Sequence, residues 1–225
     1  MGKIIVVTGP SGAGKTTLVN AVAKADPNVC LSISFTSRTP RLGEVNGQHY
    51  HFIEQSDFEK LIINGEFIEY AKIYGHYYGT SKKWLLEQLN VDSKKIILLE
   101  IDYQGLQQVQ LLFAGLVSVL VLPLVFTDLV ARLKKRGTES ILEMNHRLSS
   151  TSEEIKPFLA LGRIKCDYVI INDDLQQAIG DLTSIVHADQ LQYTEQVERL
   201  KFSQHFGALS DFNTPLTPTK LLGDQ

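Results

Sequence analysis

A parallel α/β sheet with helices on both faces is the fold class this sequence predicts, and three observations predict it. First, apolar runs that scarcely alternate recur at Lys3–Thr8, Lys95–Asp102, Val117–Leu122 and Asp167–Ile171. Runs of that kind are strands buried on both faces, which is the environment of a parallel sheet. Second, helical stretches separate them, as crossover connections require. Third, a Gly-rich segment, Gly9–Thr16, joins the first run to the first helical pattern. At 225 residues, with hydrophobic residues at 44% and charged residues at 21%, the chain can bury a core without staples. That composition excludes wholesale disorder, collagen and coiled coil.

The elements follow in order. Lys3–Thr8 is the first strand, and Leu18, Val19, Val22 and Ala23 form the apolar stripe of the first helix. Residues 31–89 differ from the rest: their strands are short and half-polar, with His49–Ile53 and Phe67–Ile73 as candidates. Between these, Ser56 to Glu59 reads as a capping box that starts a helix, and Gly65 as its stop. This is a smaller α+β insertion. The second core strand runs through Lys95–Asp102 into a helix reaching Val109. Leu111–Phe126 is uncharged, but Gly115 and Pro123 interrupt it and it falls short of the roughly 20 residues of a membrane span. It reads as a helix end, a strand and a loop. Thr127 is placed to cap the next helix, and residues 132–165, rich in Arg, Lys, Glu and Ser, read as a helical hairpin. A final helix is expected from Leu175 past His187. Beyond Phe202 the breaker-rich segment through Asn213–Thr219 reads as a flexible tail.

Lys+Arg 22 against Asp+Glu 25 leaves a net charge of −3, so no bulk attraction draws the chain to nucleic acid or an anionic membrane. A bound polyanion must be held by a local cluster. The two cysteines, Cys30 and Cys166, do not make a disulfide framework, and the first apolar run is too short for a signal peptide. The expectation is a cytoplasmic protein with no membrane or nucleic-acid partner; a homo-oligomer is left open.

Gly9-Pro10-Ser11-Gly12-Ala13-Gly14-Lys15-Thr16 matches G-x-x-x-x-G-K-[ST] in full. Its glycines let backbone N–H groups wrap a phosphate, and the following helix adds its positive end. Lys15 reaches the β- and γ-phosphates, and the Thr16 hydroxyl can ligate Mg²⁺. The core is therefore of the P-loop NTPase type. Glu100 and Asp102 end the second core strand on one face, beside the phosphate site, where a carboxylate can hold Mg²⁺ directly or through water; the plain alternative is a solvated strand end. A GTPase should carry Asn-Lys-x-Asp, and Asn172-Asp173-Asp174 lacks the Lys. A mechanical ATPase usually has more domains. A kinase with a second anion site remains.

Arg38 and Arg41, with hydroxyls around them, are candidates for that site, since guanidinium forks bind phosphate oxygens in pairs; Tyr50 adds a phenol. Two solvated surface arginines are the alternative. Glu69 shares a strand face with Phe67 and Ala71, an apolar setting that makes ionisation costly. It wants a partner with two N–H donors, such as guanine N1 and N2, or else a salt bridge to Lys or Arg. Tyr77–Ser81 supplies a flat surface and hydroxyls beside it. Arg132 and Arg136 share a helix face, with Arg147 on the second arm, as a mobile arginine-bearing lid over the transferred group would need; an ordinary basic helix is the alternative.

These residues together resemble the guanylate kinases, over roughly residues 2–200. The strongest stretches are the Gly-rich loop, Ser34–Phe52, Gly75–Ser81, Leu99–Gly105, Arg132–Gly137 and Asp167–Asp174. The resemblance implies a core of residues 1–30, 90–126 and 166–200, a GMP-binding region of 31–89, a lid of 127–165 and a tail of 201–225. It implies that Ser34, Glu69 and Thr80 read guanine, and that Arg38, Arg41, Tyr50 and Tyr78 hold the GMP phosphate, with the Gly79 backbone and Asp102 beside them. ATP would lie on Gly9, Pro10, Ser11, Gly12, Ala13, Gly14, Lys15, Thr16 and Thr17, with Asn172 near adenine. Thr16 and Asp102 would hold Mg²⁺, partly through water. Lys15, Arg41, Arg132, Arg136 and Arg147 would carry the transfer ATP + GMP → ADP + GDP, a step in purine nucleotide metabolism and GMP recycling. The sequence departs from the family at Ser37, where Thr is usual, and at Leu124-Val125, where Pro-Ser is usual. The rival readings are a non-catalytic module of this family that binds phosphopeptides, and a kinase for another phosphorylated small molecule. The intact Lys15 and Thr16 argue against the first; Glu69 with Ser34 and Thr80 argues against the second.

Overall fold

The computed structural model describes residues 2–92, 94–124, 156 and 165–190. The chain divides into two compact units, Met1–Val186 and His187–Gln225; the described part of the second is the end of the last helix. The elements are β1 (Lys3–Thr8), α1 (Lys15–Ala25), β2 (Val29–Leu31), β3 (Phe35–Thr36), β4 (His51–Phe52), α2 (Gln55–Ile63), β5 (Phe67–Ile73), β6 (His76–Ser81), α3 (Lys82–Val91), β7 (Ile96–Glu100), α4 (Tyr103–Leu112), β8 (Val117–Leu122), β9 (Tyr168–Ile171) and α5 (Leu175–Gln190).

The core sheet has the order β2-β7-β1-β8-β9 and every pairing in it is parallel. Alternation along β1 splits the core. Ile5 and Val7 pack with Leu18, Val22, Leu182 and Val186, from α1 and α5. Ile4 and Val6 pack with Leu85, Leu89, Leu106 and Val109, from α3 and α4. Both faces are thus covered, which is why β1 reads as an unbroken apolar run. With β7 and β8 on either side, β1 ends in a crevice at the carboxyl edge of the sheet, where open α/β sheets bind ligands.

The second sheet has the order β4-β3-β6-β5. It is mixed, with β3–β6 and β5–β6 antiparallel and β3–β4 parallel. Helix α2 closes one face of it through Phe58, which stacks on Phe67 and Tyr77 with ring centroids 4.4 and 5.2 Å apart.

Several expectations need correction. The capping box at Ser56 does not form: the cap position lies two residues earlier, at Glu54, with no side-chain cap bond, and α2 begins at Gln55. The side chains that do cap helices among the described residues are Ser81 for α3, accepting from Trp84 N at 3.3 Å, Asp102 for α4, accepting from Gly105 N at 2.9 Å, and Asp174 for α5, accepting from Gln177 N at 2.8 Å. Asp102 therefore lies past the end of β7, not in it. The His49–Ile53 strand shrinks to two residues, and β2 and β3 are too short to leave a periodic signal. Gly65 does stop α2, at a φ of 68°. The Thr127 cap, the tail and all of the 132–165 hairpin except Lys156 and Lys165 lie outside the described residues.

Candidate active site

The loop after β1 is shaped by what surrounds it. Gly9 has a φ of 142°, and a Cβ there would collide with the Val121 carbonyl of β8, so no other residue passes this point. Gly14 caps α1 in the left-handed region, at φ 93°. The Lys15 ammonium arches back over the loop and donates to the Gly9 and Pro10 carbonyls at 2.6 and 3.0 Å. Thr16 Oγ1 donates to Glu100 Oε1 at 2.7 Å, across 84 residues of sequence. Beneath the loop, Asn172 Nδ2 donates to the Ala13 carbonyl at 2.7 Å.

Arg38 is buried in the second region, only 8% exposed. Its Nη1 and Nη2 form a two-pronged bond to the Glu44 carboxylate, 2.9 Å each, and Nη1 also donates to the Thr39 carbonyl at 2.7 Å. Arg38 Nε is buried without a hydrogen-bond partner. The guanidinium lies over the Tyr50 and Phe52 rings at 5.5 and 5.6 Å. Glu44 also accepts from Arg41 N at 2.7 Å. Burial would raise the Glu44 carboxyl, but the bonds from Arg38 and the Arg41 N–H outweigh it and hold it below the usual range. Burial likewise opposes the charge on Arg38, and Glu44 and Tyr78 more than restore it. Burial pushes the Tyr50 phenol up, which keeps it a neutral hydrogen-bond donor. Reasoning from sequence missed Glu44: it sits in a loop with no periodicity, and only its three-residue spacing from Arg41 hinted at a turn.

Glu69 is 3% exposed. Of its two expected neighbours on the strand face, Ala71 stands and Phe67 is wrong, because the β5–β6 register shifts between Phe67 and Glu69. A bulge of this kind turns the following side chain to the other face. Phe67 packs against Phe58 of α2, while Glu69 accepts from Thr80 Oγ1 at 2.6 Å. Among the described residues no Lys or Arg pairs with Glu69. Burial pushes its carboxyl up to about 7; the Thr80 bonds pull it down, and the Asp102 charge adds to the rise. Gly105 lets the first turn of α4 close over it, for a Cβ there would lie 2.5 Å from Glu69 Oε2.

One cleft of about 370 Å³ joins the two regions. It is lined on the loop side by Gly9, Ser11, Gly12, Gly14, Lys15 and Thr16, and on the sheet side by Ser34, Arg38, Arg41, Tyr50, Glu69 and Tyr78. Glu100 and Asp102 lie along it as well. Tyr103 and Gln104, from α4, line it without having been singled out in the sequence. Six expected residues are not among the lining. Pro10 and Ala13 are buried within the loop, and Thr17 is exposed on α1. Thr80 donates to Glu69, and Asn172 lies under the loop. Gly79 makes room for packing: a Cβ there would press on Phe67 and Phe58 at 3.0 and 3.1 Å. Arg132, Arg136 and Arg147 lie outside the described residues.

A family model described as guanylate kinase matches residues 1–189. The chain belongs to the guanylate kinase family. It is 46% identical over 198 residues to the guanylate kinase of Aromatoleum aromaticum, covering 88% of this chain and 94% of that one. The guanylate kinase of Dechloromonas aromatica is 45% identical over 198 residues, with 88% and 95% covered. Among solved structures, guanylate kinase from Anaplasma phagocytophilum superposes with a TM-score of 0.71 at 30% identity, covering 91% of this chain and 95% of that one. As a member of this family the chain is a nucleoside monophosphate kinase, a phosphotransferase.

Proposed function

We propose that the two sides of the cleft take the two substrates of ATP + GMP → ADP + GDP: the loop side the ATP triphosphate, the sheet side GMP. One observation carries this reading. Glu69, buried and with no cation paired to it among the described residues, lines the same cleft as Lys15. A carboxylate held there is stabilised by a base that presents two N–H donors, and guanine does so at N1 and N2. Arg38, Arg41, Tyr50 and Tyr78 then hold the GMP phosphate, with the orphaned Arg38 Nε and the neutral Tyr50 phenol available as donors.

Phosphoryl transfer needs no covalent intermediate on the enzyme. The acceptor phosphate is already largely dianionic near neutral pH, since its second pKa is roughly 6. Lys15, released from the loop carbonyls by the arriving triphosphate, meets the developing charge. The walls of the cleft position the phosphates in line and exclude water. Hard oxygen donors suit Mg²⁺, and the described residues show no group of three His, Cys, Asp or Glu side chains that could cage a metal. That fits an ion held by one or two protein oxygens and the phosphates. Thr16 would contribute one such oxygen, with Glu100, its present hydrogen-bond partner, and Asp102 beside it. When bound, the ion neutralises charge on the β- and γ-phosphates.

Two free cysteines and the absence, among the described residues, of a helix able to cross a membrane support action in a reducing cytoplasm. The test is coupled ADP release with ATP and Mg²⁺, offering GMP, AMP, CMP and UMP in turn. Release with GMP alone is expected. Equal rates with several monophosphates would discard the guanine site, and no rate with any would discard the transfer reaction.

A further inference from the structure

We propose that Asn172 is a positioning residue for the donor-phosphate loop, acting through the Ala13 carbonyl rather than by reading adenine. The inference rests on the reading of Gly9–Thr16 as the ATP triphosphate site.

Asn172 follows β9, and its backbone N–H donates to the Leu122 carbonyl at 2.7 Å, so it is anchored to the β8–β9 pair. Its side chain is only 3% exposed and does not line the cleft. The amide Nδ2 instead crosses 159 residues of sequence to donate to the Ala13 carbonyl. Ala13 is itself fully buried in the core. The fit is close: a Cβ on Gly14 would strike the Asn172 amide nitrogen. The glycine of the loop and the asparagine after β9 therefore depend on each other.

Peptide planarity states what the bond does. In a trans peptide the C=O and the following N–H point in opposite directions, and the described residues contain no cis peptide. Holding the Ala13 carbonyl down toward Asn172 turns the Gly14 N–H the other way, toward the cleft that Gly14 lines. That N–H is one of the donors a phosphate nest is made of. Asn172 thus sets the direction of a backbone donor it never replaces, and its effect must be the same for any triphosphate, whatever base follows.

The experiment is titration calorimetry with inorganic tripolyphosphate and Mg²⁺, which has no base, beside ATP and GMP. The wild-type chain is compared with Asn172→Asp, which sets a carboxylate against the carbonyl, and Asn172→Ala, which removes the donor. Thermal melts confirm that each variant is folded at the titration temperature. Loss of one buried hydrogen bond should weaken tripolyphosphate and ATP by a common factor of about 10, more for Asp than for Ala, with GMP changed less than about twofold. Weakened ATP with unchanged tripolyphosphate would make Asn172 an adenine contact and overturn the inference. An equal loss for GMP and tripolyphosphate would reduce it to a general structural role and also overturn it. If Asn172→Asp does not fold, Asn172→Ala carries the same comparison. Wild-type protein that binds no tripolyphosphate would overturn the reading of the loop itself, a failure visible before any variant is measured.

Discussion

The two sides of the cleft are built on different principles. The side proposed for ATP, the donor side, is mostly backbone: one continuous segment, Gly9–Thr16, follows a buried strand and opens a helix. Its side chains brace the loop, as Lys15 does on the Gly9 and Pro10 carbonyls. The side proposed for GMP, the acceptor side, is mostly side chains, gathered from β5, β6 and the loops between β2 and β4. They are oriented by a strand bulge and by a carboxylate, Glu44, that grips Arg38. A backbone nest accepts any triphosphate and confers little selectivity. A pocket of buried polar side chains can reject a wrong base strongly, because the wrong base leaves those groups unpaired. Selectivity should therefore be lost on the acceptor side and rate on the donor side.

The largest expected effect breaks the acceptor side alone. Glu69→Ala should raise the KM for GMP and erode discrimination against AMP, by as much as ~10⁴-fold in kcat/KM ratio. Steady-state kinetics with both monophosphates read it directly, and retained selectivity would remove Glu69 from base recognition. The matching break on the donor side is Lys15→Met. Removing one donor aimed at developing charge costs about 10²- to 10³-fold in kcat, and the KM for GMP should hardly move. An unchanged kcat would deny Lys15 its role and blur the contrast between the two sides.

The same contrast explains what could be read from the sequence. The donor loop is contiguous, so eight residues in a row carry its whole geometry. The core strands are legible because burial on both faces leaves unbroken apolar runs, and β5 appears with its full span, Phe67–Ile73. The acceptor side is scattered. β3 has two residues, so no periodicity can form. The bulge before Glu69 reverses the face that simple alternation assigns, and nothing in the local composition marks it. The Thr16–Glu100 and Asn172–Ala13 bonds join positions 84 and 159 residues apart, and only the parallel sheet brings them together. Resemblance to a family named most of the lining residues, but it could not say that Gly79 faces an aromatic stack or that Asp102 caps a helix.

A smaller effect concerns stability. The Glu69 carboxyl is raised from 4.5 to about 7, chiefly by burial. A raised folded-state value means the neutral acid is the tolerated form. Its contribution to stability is therefore fully present below about pH 4.5 and is lost as pH rises through about 7, at most roughly 3 kcal/mol for this shift. Glu69→Gln is neutral throughout. The melting temperature of the wild type minus that of Glu69→Gln, measured without nucleotide, should fall between pH 5 and 8. A flat difference would mean that Glu69 is already stabilised as a carboxylate, and the case for a base as its missing partner would weaken.

The smallest expected effect sharpens the comparison by its sign. Glu44 could act on Arg38 in two opposed ways. It could brace the guanidinium so that Nε faces the incoming phosphate, or it could occupy the guanidinium and compete with that phosphate. The geometry favours bracing: Glu44 takes the two Nη groups and the Arg41 N–H together, leaving the buried Nε without a partner. Bonds to charged groups are worth about 1.5–3 kcal/mol, and Glu44→Gln keeps one acceptor while losing the charge. The KM for GMP should rise about tenfold, with kcat and the KM for ATP nearly unchanged. A lower KM for GMP would make Glu44 a competitor. The acceptor side would then hold its arginine in reserve, much as the donor side holds Lys15 on its own loop carbonyls until the triphosphate arrives.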